Sequence, residues 1–270
     1  MDRLILGRYI PGDSPVHKLD PRSKLLAMFI FLLIIFWANN AVTNLLLLVF
    51  VISLVFLSKI KFSFFINGLK PMLGIILFTT FFQLFFAGGA TVLWQFWIFK
   101  LTVEGIGQAA IICMRFVLII FFSTLLTLTT TPLSLADGVE SGLAPLRVLK
   151  VPVHEIGLMF SMSLRFVPTL MDDTTRIMNA QRARGVDFGE GNIVQKVKAV
   201  IPILIPLFAS SFKRAEALAT AMEARGYQGG DGRSKYRVLK WKQSDTIAIL
   251  VMILIGIALF FLKTTAKTPI

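Results

Sequence analysis

Few side chains in this sequence are of types that could carry out covalent or acid–base chemistry. The histidines are His17 and His154, and the single cysteine is Cys113. His17 stands three residues before Asp20, and His154 is followed directly by Glu155, so each could supply an imidazole–carboxylate pair for general acid–base work. Adjacent residues on a helix point in different directions, so His154–Glu155 makes no dyad by itself. For His17 two readings stand, a catalytic group or a structural contact. Zinc needs several His, Cys or carboxylate ligands together, and no such cluster occurs, so neither a metal nor a cofactor is expected. One cysteine excludes an internal disulfide. No G-x-x-x-x-G-K-[ST] loop is present, so the chain is not expected to bind ATP itself.

The residues best arranged for work are arranged for docking, and they come as a repeat. Ala180-Gln181-Arg182-Ala183-Arg184-Gly185 is followed, at a constant offset of 41, by Ala221-Met222-Glu223-Ala224-Arg225-Gly226, with Gly189 and Gly230 also in register. Each copy closes a helical pattern. Glycine just past a helix end supplies the left-handed cap, and arginine in the last turn complements the helix dipole. A single copy would be an ordinary helix end. Two copies with matched flanks put Arg184 and Arg225 on two rigid tips, each able to bridge to carboxylates or carbonyls of another protein. Two similar tips suggest two similar partners.

The elements that must position these tips are helices, several of them in a membrane. Of the 270 residues 56% are hydrophobic, and the mean hydropathy is +0.76, well above a soluble domain, so the excess faces lipid. The run Leu25–Leu57 is too long for one span of about 20 residues. The polar Asn39–Asn40 splits it into two spans, both short for a core of roughly 30 Å. Further spans are expected over Pro71–Ala87, Gly105–Thr130 and Thr246–Leu262. Gly88-Gly89-Ala90 and the β-formers from Thr91 to Val103, with Trp94 and Trp97, predict a short hairpin at the outer interface, where Trp is enriched. The fourth span carries Glu104, Gln108 and Arg115 on one helical stripe. Glu104 and Arg115 lie about 16 Å apart along the axis and cannot pair, so the stripe should face the bundle or a partner.

Charge sets the orientation. Arg3, Arg8, Lys18, Arg22 and Lys24 precede the first span, and Lys59, Lys61 and Lys70 follow the second. The turn between those spans carries no Lys or Arg. Basic loops stay in the cytoplasm, which places the N-terminus and residues 132–245 inside and, with five spans, the C-terminus outside, although Lys263 and Lys267 there run against the trend. The net charge of +13 is then largely topology, and no nucleic-acid-binding motif accompanies it. The expected organisation is a membrane domain over 1–131, a cytoplasmic coupling domain over 132–245 and a last transmembrane helix over 246–270. Within the middle part, long amphipathic helices are expected from Thr131–Pro132, from Pro152 to Arg184 with a bend at Pro168, and from about Pro206 to Arg225. Ile156, Met159, Phe160, Ser163, Phe166, Val167 and Leu170 form an apolar stripe on the second of these.

With those motifs in place, the chain resembles the transmembrane T component (the EcfT family) of energy-coupling factor transporters, ABC-type prokaryotic importers of vitamins and metal ions. The resemblance rests on Ala183-Arg184-Gly185 and Ala224-Arg225-Gly226, on the N-terminal Ser14-Pro15-Val16-His17-Lys18-Leu19-Asp20-Pro21-Arg22-Ser23-Lys24, and on Ser163-Leu164-Arg165-Phe166-Val167-Pro168. It covers nearly the whole chain in order. It implies an all-helical, multi-pass protein of the plasma membrane that catalyses nothing. It also implies two ATP-binding-cassette ATPase subunits that receive the two Arg motifs in grooves, and a separate substrate-binding S component that topples to release its cargo. Five of the ten methionines, Met159, Met162, Met171, Met178 and Met222, lie in the coupling region. With Phe160 and Phe166 the first four could form an adaptable S-component contact; ordinary helix packing is the other reading. The rivals are a conventional ABC importer permease that itself forms the substrate path, and a membrane enzyme using the histidines.

Overall fold

The structure, a computed structural model, describes residues 9–86, 91–96, 99–186, 188, 192–229 and 238–265. Trp97, Gly189, Gly230 and Gly88-Gly89-Ala90 lie outside them. The chain divides into two compact units, residues 1–142 with 239–270, and residues 143–238.

In the first unit, α1 (Pro21–Ile34) starts where Asp20 accepts from the Arg22 N–H at 2.9 Å and Pro21 takes the first helical position, both helix-start signals. A 3₁₀ turn, Ile35–Trp37, ends it. After Asn39–Asn40, α2 (Ala41–Ser58) opens with the Asn40 N–H donating to Thr43 Oγ1 at 3.0 Å. Next, α3 (Phe62–Leu69) passes through a 3₁₀ turn, Lys70–Met72, into α4 (Leu73–Phe86). The expected hairpin is present: β1 (Val92–Phe96) pairs antiparallel with β2 (Phe99–Thr102), Phe96 opposite Phe99. Thr102 then caps α5 (Val103–Thr129), accepting from the Gly105 N–H at 3.0 Å. Thr131 begins α6 (Pro132–Leu143) in the same way, and α9 (Gln243–Thr265) completes the unit.

Helices α1, α2, α5 and α9 surround one core, with Phe31, Leu47, Leu118 and Leu259 fully buried. Phe31 stacks on Phe122 with ring centroids 4.3 Å apart. Lipid tails are as apolar as leucine, so helices in a bilayer hold by close packing, which small residues permit. Gly68 is one such point: a Cβ there would come 2.9 Å from Thr124 Oγ1, so α3 approaches α5 as closely as glycine allows. The outward faces stay apolar, as at Phe78, Phe81, Phe82 and Phe86 of α4, the pattern a lipid surface needs.

The second unit holds a 3₁₀ stretch, Ala144–Leu149, and two long helices that pack together, α7 (Val153–Ala183) and α8 (Ile193–Ala224). Helix α7 runs unbroken through Pro168. Helix α8 begins thirteen residues before the expected start at Pro206, because Pro202 and Pro206 both lie inside it. Four residues apart, they share one face, so the missing N–H groups and ring contacts fall on one side. The apolar run around them favours the helix, which satisfies its own backbone polar groups.

Among the described residues, five helical stretches are long and apolar enough to cross a membrane: Ala41–Ser58, Phe62–Phe86, Val103–Thr129, Val194–Ala224 and Gln243–Lys263. Four of them correspond to expected spans. The fifth is α8, expected only as amphipathic. The remaining expected span, α1 with its 3₁₀ turn, covers Pro21–Trp37. That is about 27 Å of helix, shortened by the Asp20–Pro21 start and the Asn39–Asn40 stop.

Candidate functional site

The two Ala-Arg-Gly sequences form the same terminal structure, bond for bond. At the end of α7 the Gly185 N–H donates to Arg182 O at 2.9 Å and the Val186 N–H to Gln181 O at 3.0 Å. At the end of α8 the Gly226 N–H donates to Glu223 O at 2.9 Å and the Tyr227 N–H to Met222 O at 3.0 Å. These paired bonds are the Schellman cap, which needs a left-handed residue just past the helix. Gly185 and Gly226 supply it with φ of +87° and +68°. The cap ends each helix at Ala183 or Ala224, with Arg184 or Arg225 the next residue, and fixes the backbone that carries the guanidinium. Both arginines are exposed. Among the described residues neither is paired with a carboxylate, although Lys18 with Asp13 and Arg214 with Asp173 are. What stands at each tip is a cation on a capped backbone, with no carboxylate partner among the described residues.

The repeat extends beyond the caps. The half-buried or buried positions of α8 mostly fall on covered positions of α7 under the same offset of 41, including Met162 with Ile203, Phe166 with Leu207 and Ile177 with Leu218, whereas α7 is covered at further positions, such as Gly157 and Met178, whose equivalents Lys198 and Ala219 are exposed. The proposed contact set divides on this pattern. Met162, Phe166 and Met178 are half-buried, whereas Met159, Phe160 and Met171 are exposed. Only the second group offers its surface outward.

Glu104, Gln108 and Arg115 share a helix but not a site. Thr91 Oγ1 donates to Glu104 Oε2 at 2.9 Å. Gln108 Oε1 accepts from Gln83 Nε2 at 2.9 Å, linking α5 to α4. Arg115 Nη2 donates to Ala38 O at 3.2 Å and to Asn39 Oδ1 at 3.4 Å, with its guanidinium 5.3 Å from the Phe36 ring centroid. Arg115 thus closes the carbonyl end of the first helix within the bundle.

His17 is occupied by structure. Its Nδ1 lies 2.6 Å from Ser14 Oγ and its Nε2 3.0 Å from Ile10 O. Asp20 turns away from it to cap α1. The N-terminal motif instead builds a polar knot. Lys24 Nζ donates to Thr129 O at 3.0 Å and to Thr130 Oγ1 at 3.1 Å. Lys24 immediately precedes the apolar run that begins at Leu25 and is buried. The sequence reading missed Asp245, which is fully buried. Its Oδ1 accepts from the Asp20 N–H at 2.7 Å and Ser23 Oγ at 2.9 Å, and its Oδ2 from the Lys242 N–H at 2.8 Å. One carboxylate thereby serves the N-termini of α1 and α9, where the helix dipoles favour negative charge. The available signal was an acidic residue opening an apolar span; its partner lies 225 residues away.

Comparison with known proteins places these features in a family. A family model described as "Cobalt transport protein" (CbiQ) matches residues 12–236. The chain is 72% identical over 267 residues, 99% of both chains, to the energy-coupling factor transporter transmembrane protein EcfT of Streptococcus equi subsp. equi. It is 66% identical to the protein of that name from Streptococcus thermophilus, covering 98% of this chain and 100% of the relative. To that of Bacillus subtilis it is 52% identical, covering 97% and 99%.

Proposed function

Because the chain belongs to the EcfT family of energy-coupling factor transporter transmembrane proteins, we propose that it joins two ATP-binding-cassette ATPase subunits to one substrate-binding S component in an importer of vitamins or other micronutrients. The chain is a multi-pass membrane protein and a non-catalytic subunit, and proteins of its family work with ATPase and S-component partners. Residues 132–245 are the cytoplasmic coupling domain, between a membrane domain over 1–131 and a last membrane helix over 246–270.

The observation that carries this reading is the pair of identical tips. Ala183-Arg184-Gly185 docks in a groove of one ATPase subunit and Ala224-Arg225-Gly226 in that of the other. A guanidinium entering an acidic or carbonyl-lined groove forms charge-assisted bonds with little loss of backbone freedom, because the Schellman cap has already ordered it. When the ATPases close on ATP, α7 and α8 carry the displacement as stiff rods of 31 and 32 residues. The exposed Met159, Phe160 and Met171 supply an apolar face for the S component, in which the two unbranched methionines can adapt their shape.

Charge reversal is the test. Arg184→Glu with Arg225→Glu puts repulsion into both grooves. Membrane insertion should stay normal, while ATPase co-purification and uptake drop by at least about tenfold, as for loss of a buried charged pair. Normal assembly and uptake in the double variant would overturn the reading.

A further inference from the structure

Arg214 donates through Nη2 to Asp173 Oδ2, joining α8 to α7 through side chains that are mostly covered. These residues are 41 apart, the same offset that relates the two Ala-Arg-Gly tips. Asp173 and Arg214 are therefore equivalent positions of the repeat, in contact with each other. Two copies of an element related by a two-fold axis bring a residue against its own equivalent only on that axis. The matched burial of Phe166 with Leu207 and of Ile177 with Leu218 on either side fits the same axis. A pair of identical helices would set like against like there. The repeat sets a carboxylate against a guanidinium, which favours α7 on α8 and opposes either helix on a copy of itself.

Chain length turns this contact into a geometry. Arg184 and Arg225 each follow their member of the pair by eleven residues, so both tips stand on arms of about 16 Å. The start of α8 lies twenty-one residues before Arg214, and the end of α7 ten residues after Asp173. If the helices ran parallel, those ends would be about 46 Å apart, whereas the nine-residue connection reaches only about 35 Å. The helices therefore cross instead of running parallel, and each tip stands on its own arm beyond the crossing.

We propose that Asp173 and Arg214 are the pivot of the coupling helices: positioning residues that fix where α7 and α8 cross, and so the spacing at which Arg184 and Arg225 meet the two ATPase subunits. This rests on the docking role of those arginines. A rotation of 10° about the pivot moves each tip by about 3 Å, so a loosened crossing would still allow docking but would transmit motion poorly.

The test uses the full complex with its ATPases and S component. Nitroxide labels at Asn179→Cys and Thr220→Cys, exposed equivalent positions near the tips, go into a Cys113→Ser background, and their separation is read by pulsed electron spin resonance. Unsubstituted at 173 and 214, the complex should give one narrow distance distribution. Asp173→Ala and Arg214→Ala should broaden it and lower uptake per ATP hydrolysed roughly tenfold, with both ATPase subunits still bound. The exchange Asp173→Arg with Arg214→Asp should restore both readouts. A merely structural pair would not change uptake per ATP in complexes that assemble normally. Unchanged distances and uptake in the single variants would overturn the pivot, as would failure of the exchange to rescue them. The docking reading fails separately, when Arg184→Glu with Arg225→Glu leaves the ATPases bound whatever stands at 173 and 214.

Discussion

Replacing Asp245 tests whether one buried carboxylate ties the start of the first helix to the start of the last. It accepts from the Asp20 N–H at 2.7 Å, Ser23 Oγ at 2.9 Å and the Lys242 N–H at 2.8 Å. Bonds to a charged acceptor contribute about 1.5–3 kcal/mol each, but the three are unequal. Lys242 is exposed, so water can replace its bond at little cost. Ser23 Oγ also donates to Asp20 O at 2.8 Å and keeps that partner. The Asp20 N–H has no such substitute in a residue that is itself buried. Asp245→Ala should therefore cost about 3–5 kcal/mol, most of it from that orphaned donor and the space left behind. Asp245→Asn keeps the Oδ1 acceptor and should cost only about 1–2 kcal/mol. Unfolding in mixed micelles by added SDS can be followed through Trp241, whose indole donates to Thr246 Oγ1 at 2.9 Å. A loss below about 1 kcal/mol for Asp245→Ala, or an Asn variant as unstable as the Ala variant, would refute the reasoning.

The other predictions are local. Gly185→Ala and Gly226→Ala meet no atom within 4 Å, so each should cost only the left-handed backbone, about 1–2 kcal/mol; hydrogen exchange should show fraying confined to the last turn of the altered helix. Arg115→Leu should lower stability in micelles by about 1–2 kcal/mol through loss of its bonds to Ala38 O and Asn39 Oδ1, and Arg115→Lys should rescue little, lacking the fork.

Local signals were legible wherever one side chain acts on its own stretch of backbone. Asp20–Pro21 and Thr131–Pro132 start helices, Asn39–Asn40 interrupts the first apolar run, and the β-formers after Thr91 pair as a hairpin. The repeated Ala-Arg-Gly was legible for the same reason, since a Schellman cap is built from residues within one turn of each other. Where a local rule competes with a longer-range demand, it failed. Pro206 reads as a helix start, yet α8 passes through it because an apolar segment without a helix leaves backbone groups unpaired.

What the sequence determined by itself is the class of molecule and its pair of matched helix tips: hydropathy sets a multi-pass membrane protein, and a 41-residue echo sets two equivalent helix ends. What only the tertiary structure decided is which distant residues complete these parts. Arg115 meets the end of the first helix instead of its own stripe, Asp245 closes a knot opened at Asp20, and Asp173 meets Arg214. The physical reason is common to all three. A charged or polar group inside a bundle must find a partner, and periodicity says which way it points, but only packing brings a partner within about 3 Å.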